Sequence, residues 1–314
     1  MFNILYNKIK RRIDYYLMFY SKREKYISRG DDFPDKTFYV IGIDYDTQGL
    51  LAIVKNILIH IEYALDKGYI PIVDMQNFVS QFGSNGEKNA WEIFFKQPYE
   101  IGLEDIQNAR SIILSRNIAT WLGHSIFLSV LDDCNKRRFE KLKSLYKQYV
   151  IPSEGMLTHM KNEYKEIIDG KSNVLGVLCR GTDYTQKRPS GHSIQPSFEQ
   201  IKGKVDEFRK RLQIDYIFVA TEDTAYLNRF KEEYDEMLLY VDQKRFGDLK
   251  VDYISEIGMD NSSLIQMNMD YYASLFILSK CDYFISGKTA GALGVAFMTE
   301  GFKESYFFEL GHYK

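Results

Sequence analysis

The run Val174-Leu-Gly-Val-Leu-Cys-Arg-Gly-Thr-Asp-Tyr184 constrains this chain more than any other segment. A short apolar stretch reads as a buried strand and stops abruptly at Arg180, Gly181, Thr182 and Asp183. In open α/β sheets, ligands sit just beyond the carboxyl ends of strands. An arginine at that position offers a planar fork of donors suited to a pair of phosphate oxygens. The adjacent glycine lets the backbone approach a ligand closely.

The surrounding pattern alternates strands and helices. Residues 38–43 read as a strand, 44–49 as a turn and 51–67 as a helix with Leu51, Val54, Ile57, Ile61 and Ala64 on one stripe. Gly68 is a candidate C-cap, and 69–73 is a second strand ending at Asp74. A β-α-β order of this kind implies a parallel sheet. Residues 111–115 form a further apolar run, and 139–150 and 157–168 read as helices. From 173 onward the expected order is a strand at 173–179, a polar loop at 181–195, a helix at 197–212 and a strand at 215–220. A helix at 227–234, a strand at 237–241, a helix at 269–280 and a strand at 282–286 complete it. The expected architecture is therefore α/β: two facing Rossmann-like domains with a cleft between them. The expected divisions are a basic amphipathic helical segment at 1–35, an α/β domain at 36–168 and a second α/β domain at 169–314.

Charge and composition narrow the function. The 314-residue chain carries a net charge of −2, which argues against a general nucleic-acid binder. Residues 1–30 hold eight Lys and Arg against Asp14 and Glu24, a net of +6 that leaves −8 for the rest. Apolar residues interleave with that charge, from Phe2 and Ile4 to Phe19 and Tyr20. A basic amphipathic helix fits two readings: it lies on an anionic membrane surface, or it packs on the body of the protein with a solvated basic face. No run reaches the roughly 18 to 20 apolar residues that span a bilayer, and the first residues lack a signal-peptide core. Cys134, Cys179 and Cys281 are scattered, favouring free thiols in a reducing cytoplasm. A peripheral position on the inner membrane face is the alternative location.

Three polar loops follow successive strands of the second half: Arg180-Gly-Thr-Asp183, Thr221-Glu-Asp223 and Gly287-Lys-Thr-Ala-Gly291. Parallel strands would gather them on one sheet edge. The last loop precedes a helical stretch at 292–298, so its N–H groups, with Lys288 and Thr289, suit an anion. Arg180, Gly287 and Gly291 then fit a diphosphate, and Glu222 and Asp223 fit ribose hydroxyls or a base edge. Taken singly, Arg180 also fits a structural ion pair, the glycines fit simple turns, and Thr-Glu-Asp fits an N-cap.

The ordered set resembles the α1,6-fucosyltransferase and protein O-fucosyltransferase superfamily, including its bacterial capsule and lipopolysaccharide branch. The family stretch G-V-H-x-R-R-T-D reads Gly176-Val-Leu-Cys-Arg-Gly-Thr-Asp183 here. Its A-T-D-D loop reads Ala220-Thr-Glu-Asp223, and its L-S-x-x-D-F stretch reads Leu278-Ser-Lys-Cys-Asp-Tyr283, running on to Gly291. Residues 69–76 and Asn89-Ala-Trp-Glu92 resemble the bacterial branch. The resemblance implies a GT-B fold, transfer of fucose from GDP-fucose with inversion, and no metal or other cofactor. It implies that Arg180 contacts the donor diphosphate, that Thr289 binds phosphate and that Glu222 and Asp223 are the family's acidic pair. The expected partners are a sugar-nucleotide donor and a glycan or lipid-linked glycan acceptor in bacterial surface polysaccharide synthesis, with no nucleic acid.

Departures from the family are specific. Its histidine is Leu178 here and its second arginine is Gly181; the positions of its base-assisting lysine and glutamate fall near Tyr184 and Arg188. Its guanine-reading aspartate falls near Ser274, with Asp270 one helical turn earlier on the same face. Candidate bases are Asp46, Asp183 and His192, with Asp44 and Asp74 as further options. His60 reads as structural. Asp44-Tyr-Asp46 is a D-x-D, yet it follows a strand that lacks other donor motifs. No His/Cys pair has zinc spacing, no P-loop is present, and no G-x-G-x-x-G follows a strand, which disfavours a dinucleotide oxidoreductase. The competing readings are another donor sugar on the same scaffold and a non-catalytic sugar-nucleotide or glycan binder.

Overall fold

Two sheets share one layer of helices. The computed structural model describes residues 24–42, 49–77, 88–115, 136–188, 190–247 and 259–314, the side chains of Asp183 and Gln186 excepted. The first sheet contains β1 (Lys25–Ile27), β2 (Phe38–Gly42), β3 (Ile70–Asp74) and β4 (Ile112–Leu114), ordered β1-β4-β2-β3. β2 is parallel to β3 and β4, and β1 is antiparallel to β4. The second sheet contains β5 (Val174–Cys179), β6 (Tyr216–Thr221), β7 (Leu238–Leu239), β8 (Tyr283–Gly287) and β9 (Glu304–Phe308). Its order, β7-β6-β5-β8-β9, is parallel throughout. That is the doubly wound arrangement, and its winding reverses between β5 and β8.

The helices are α1 (Leu50–Asp66), α2 (Ala90–Phe94), α3 (Lys136–Tyr149), α4 (Glu154–Ile167), α5 (Thr182–Lys187), α6 (Phe198–Arg211), α7 (Thr224–Tyr234), α8 (Asn261–Leu278) and α9 (Ala290–Met298). Local chemistry explains several starts. Ser197 forms a capping box with Gln200 at α6, and Asp260 accepts from the Ser263 N–H at α8. Inward Phe198, Ile201, Val205 and Phe208 bury α6 against one face of the second sheet.

The opposite face of that sheet joins a core running into the first unit. Leu178, Phe218 and Phe284 share a cluster with Tyr39, Ile41, Val54 and Ile57 through α8 and α9. A Cβ on Gly294 would lie 2.8 Å from Leu51 Cδ1, so glycine lets α9 pack tightly on α1. The Tyr146 and Tyr272 hydroxyls meet at 2.6 Å between α3 and α8, and Phe139 and Tyr146 pack on Phe297. The two Rossmann-like units of this GT-B-like fold are thus welded through apolar contact.

Besides shifted bounds and the short helix Ala90–Phe94, three elements differ from the sequence expectation. Lys25–Ile27 is a strand inside the span expected to be helical, because its backbone pairs with Ile112–Leu114. Thr182–Lys187 is helical within the expected polar loop, held by bonds described below. Glu304–Phe308 adds a strand at the sheet edge beside β8. The basic segment 1–23, including the expected amphipathic helix, lies outside the described residues.

Candidate active site

Strand register sets the positions of the site. Leu178 pairs with Ser286 and Cys179 with Thr221, so Arg180, Glu222 and the 287–291 turn emerge side by side. The gap between β5 and β8 is the topological switch point, where open α/β sheets bind ligands.

The acidic pair braces the Arg180 loop. Glu222 Oε1 accepts from the Gly181 N–H at 2.8 Å and from Thr182 Oγ1 at 3.1 Å, and lies 3.7 Å from Arg180 Nε. Asp223 Oδ2 accepts from the Thr182 N–H at 2.9 Å, while Oδ1 caps α7 through Ala225 and Tyr226. Strand ends carry N–H groups that need partners, and these carboxylates supply them. Both oxygens of the buried Asp223 therefore serve backbone amides. Thr182 is buried at φ +24°, a strained value that this double clamp holds. A Cβ on Gly181 would lie 2.3 to 2.7 Å from Asp223 atoms. A larger side chain has no space at position 181, because the Asp223 carboxylate fills that volume.

Arg180 keeps 28% of its side chain exposed at the strand end. Its guanidinium lies 5.0 Å from the Tyr184 ring centroid, within cation–π range. The Tyr184 hydroxyl is 3.1 Å from His192 Nδ1.

The 287–291 turn is also packed by protein. A Cβ on Gly287 would meet Gln195 Oε1 at 2.3 Å, and one on Gly291 would meet the Tyr271 hydroxyl at 2.3 Å and Leu178 at 3.4 Å. Gln195 Nε2 donates to the Lys288 carbonyl at 3.2 Å. Lys288 Nζ pairs with Glu309 at 2.6 Å. Thr289 caps α9, its Oγ1 accepting from the Ala292 N–H at 3.0 Å. The first-turn N–H groups of a helix lack intrahelical acceptors and carry its positive dipole end. α9 brings that end to the β8 side of the switch point.

Asp270 and Ser274 lie deeper, on α8. Asp270 Oδ1 is 2.9 Å from His159 Nε2 on α4 and accepts from Gln266 Nε2 at 2.7 Å. Burial pushes its carboxyl pKa up, against the opposing pull of those two contacts. Ser274 Oγ reaches the Asp270 carbonyl at 2.9 Å and Gln243 Oε1 at 3.2 Å. Asp74 spends its oxygens on Gln76 N, Asn77 N and Asn77 Nδ2, which is a turn-forming role. His60 is enclosed beside the Tyr39 hydroxyl, and burial lowers its pKa to about 3. Asp44 and Asp46 lie outside the described residues, as does the side chain of Asp183. No group of three or more His, Cys, Asp or Glu among the described residues could hold a metal ion, and no helix there is long and apolar enough to cross a membrane.

Sequence reasoning missed Tyr184, Gln195 and His159. Tyr184 and Gln195 have a retrospective local signal, since each sits beside a motif that must be held in place. His159 has none, because it meets Asp270 only through the packing of α4 on α8.

No protein-family model matches the chain, and no curated protein matches it. Solved structures do. NodZ α-1,6-fucosyltransferase co-crystallised with GDP superposes with a TM-score of 0.52 at 14% identity, covering 84% of this chain and 93% of that one. Fucosyltransferase NodZ from Bradyrhizobium gives 0.50 at 14% identity, covering 84% and 94%. The NodZ enzyme soaked with GDP-fucose gives 0.50 at 14%, covering 84% and 93%. The chain therefore shares the GT-B-like fold of these fucosyltransferases across most of its length.

Proposed function

We propose that this protein is an inverting, metal-independent glycosyltransferase that takes a nucleoside-diphosphate sugar, with GDP-fucose the first donor to test. The observation that carries the reading is the pairing, across the β5/β8 switch point, of a braced Arg180 with the N-terminal end of α9. Two sources of positive charge at one strand edge suit a leaving diphosphate. The NodZ structures with GDP and GDP-fucose support the donor class.

In the reaction, an acceptor hydroxyl oxygen attacks the anomeric carbon of the donor sugar. The bond from that carbon to the β-phosphate oxygen breaks, and its electron pair leaves with the diphosphate. Arg180 and the α9 N–H groups stabilise the departing charge, an electrostatic contribution of about 3 kcal/mol for one such donor. The hydroxyl proton passes to a base; His192, Asp183 and Asp46 are the candidates. Glu222 and Asp223 hold the loop in place. We assign residues 169–314 to the donor and 36–168 to the acceptor. In the first unit Arg29, Gln76, Asn77, Leu103, Glu104 and Gln107 line an open cavity of about 460 Å³, whose amides and ions suit sugar hydroxyls. A cytoplasmic setting, membrane contact through residues 1–30 and a bacterial surface polysaccharide product complete the reading.

A thermal-shift panel of GDP, UDP, ADP and CMP sugars tests it. At one hundred times its dissociation constant a ligand adds about 2.7 kcal/mol of stability. GDP-fucose is expected to raise the melt, with or without EDTA, and to be hydrolysed slowly without acceptor. A response to UDP sugars alone would refute the fucose assignment; binding without turnover would make the protein a sugar-nucleotide binder.

A further inference from the structure

Tyr184 makes two contacts that nothing in the donor-site reading requires. Its ring lies 5.0 Å from the Arg180 guanidinium carbon. Its hydroxyl lies 3.1 Å from His192 Nδ1, and the two rings meet edge to face at 5.3 Å. Both neighbours are anchored independently. Arg180 is braced by Glu222. The loop carrying His192 is strapped by a distant segment: Gly191 N donates to the Tyr313 carbonyl, Tyr313 N to the His192 carbonyl, and Ile194 N to the Gly311 carbonyl. Gln195 N also donates to the Tyr313 hydroxyl at 3.3 Å. Tyr184 itself rides on α5, whose first residue is clamped by Glu222 and Asp223.

An arginine on a flexible stem gains orientation from an aromatic face. A histidine ring gains one from a partner on Nδ1, which directs the Nε2 edge away from that partner. We propose that Tyr184 is a positioning residue that joins Arg180 and His192 into one unit, so that the cation and the imidazole meet a bound substrate in a fixed mutual geometry. The inference rests on the glycosyltransferase reading with His192 as its base, because that reading supplies the reaction in which both groups take part.

Two variants separate the contacts. Tyr184→Phe keeps the ring and loses the hydroxyl; Tyr184→Leu loses both. Tyr184→Leu is expected to raise the donor KM about tenfold while the ligand-free melting temperature stays within about 3 °C. Tyr184→Phe is expected to leave donor KM within about twofold and to lower kcat about tenfold, the loss of one oriented proton-transfer partner. A ligand-free measurement stands apart from turnover: the ¹⁵N resonances of the His192 ring should shift in Tyr184→Phe. Unchanged His192 resonances, or equal kinetics for both variants and wild type, would overturn the proposal, and Tyr184→Phe suffices for this if the leucine variant misfolds. If the resonances shift and the wild type turns over no nucleotide sugar, the tether stands and the glycosyltransferase reading falls.

Discussion

The two sheets solve the same problem at their strand ends and reach different results. In the first sheet, polar side chains close an edge. Gln97 accepts from Val73 N–H at 2.8 Å and donates to its carbonyl at 2.9 Å, standing in for a neighbouring strand beside β3. Asn89 bonds the same carbonyl and Met75 N, and Asp74 closes its own turn. In the second sheet, Glu222 and Asp223 reach across from β6 to satisfy the loop after β5. One arrangement spends its hydrogen bonds on closing the edge and its own turn. The other uses the bonds to hold a partly exposed cation at a switch point. Buried polar groups thus serve closure in one unit and presentation in the other.

Four substitutions sharpen or break that contrast. Gly181→Ala should act most strongly, since the new Cβ meets Asp223 within 2.7 Å. We expect a loss of about 3 kcal/mol in denaturant melts, together with loss of nucleotide binding. A fully stable Gly181→Ala would mean that the clamp is not rigid. Arg180→Ala should weaken nucleotide binding about 100-fold by calorimetry and leave the fold cooperative. Gln97→Ala strands the Val73 N–H, while Asn89 keeps the carbonyl, and should cost about 2 kcal/mol, with nucleotide affinity unchanged. Any large affinity change there would erase the division between the two sheets.

Glu62→Gln should have the smallest effect. Burial raises the Glu62 carboxyl pKa, but Arg138 and Lys141 more than offset this and hold it below its usual value. A carboxylate with a depressed folded pKa stabilises above its unfolded pKa and loses that contribution as pH falls through the folded one. The variant should therefore be about 1 kcal/mol less stable at pH 7, with the gap closing as pH falls through the depressed folded pKa.

Much of the second unit was legible in the sequence because its strands are continuous apolar runs ending in polar residues. Val174–Cys179 and Tyr283–Gly287 are buried along their whole length, and the Arg180, Glu222 and Thr289 loops fall at strand ends as that pattern implies. Lys25–Ile27 was not legible, since two exposed residues and one half-buried one carry no period and the pairing with β4 defines them. Thr182–Lys187 has no apolar stripe and owes its start to carboxylates 40 and 41 positions away. The glycines were visible as glycines, but the reasons for them were not. Gly181, Gly287 and Gly291 each face protein atoms, contacts that only the tertiary fold reveals.

The most direct test is a crystal structure of the protein grown with saturating GDP. The account predicts the diphosphate between the ends of β5 and β8, its oxygens within hydrogen-bond reach of the Arg180 guanidinium and the first turn of α9. A diphosphate bound against the first sheet, or a β5/β8 crevice left empty at saturation, would contradict it.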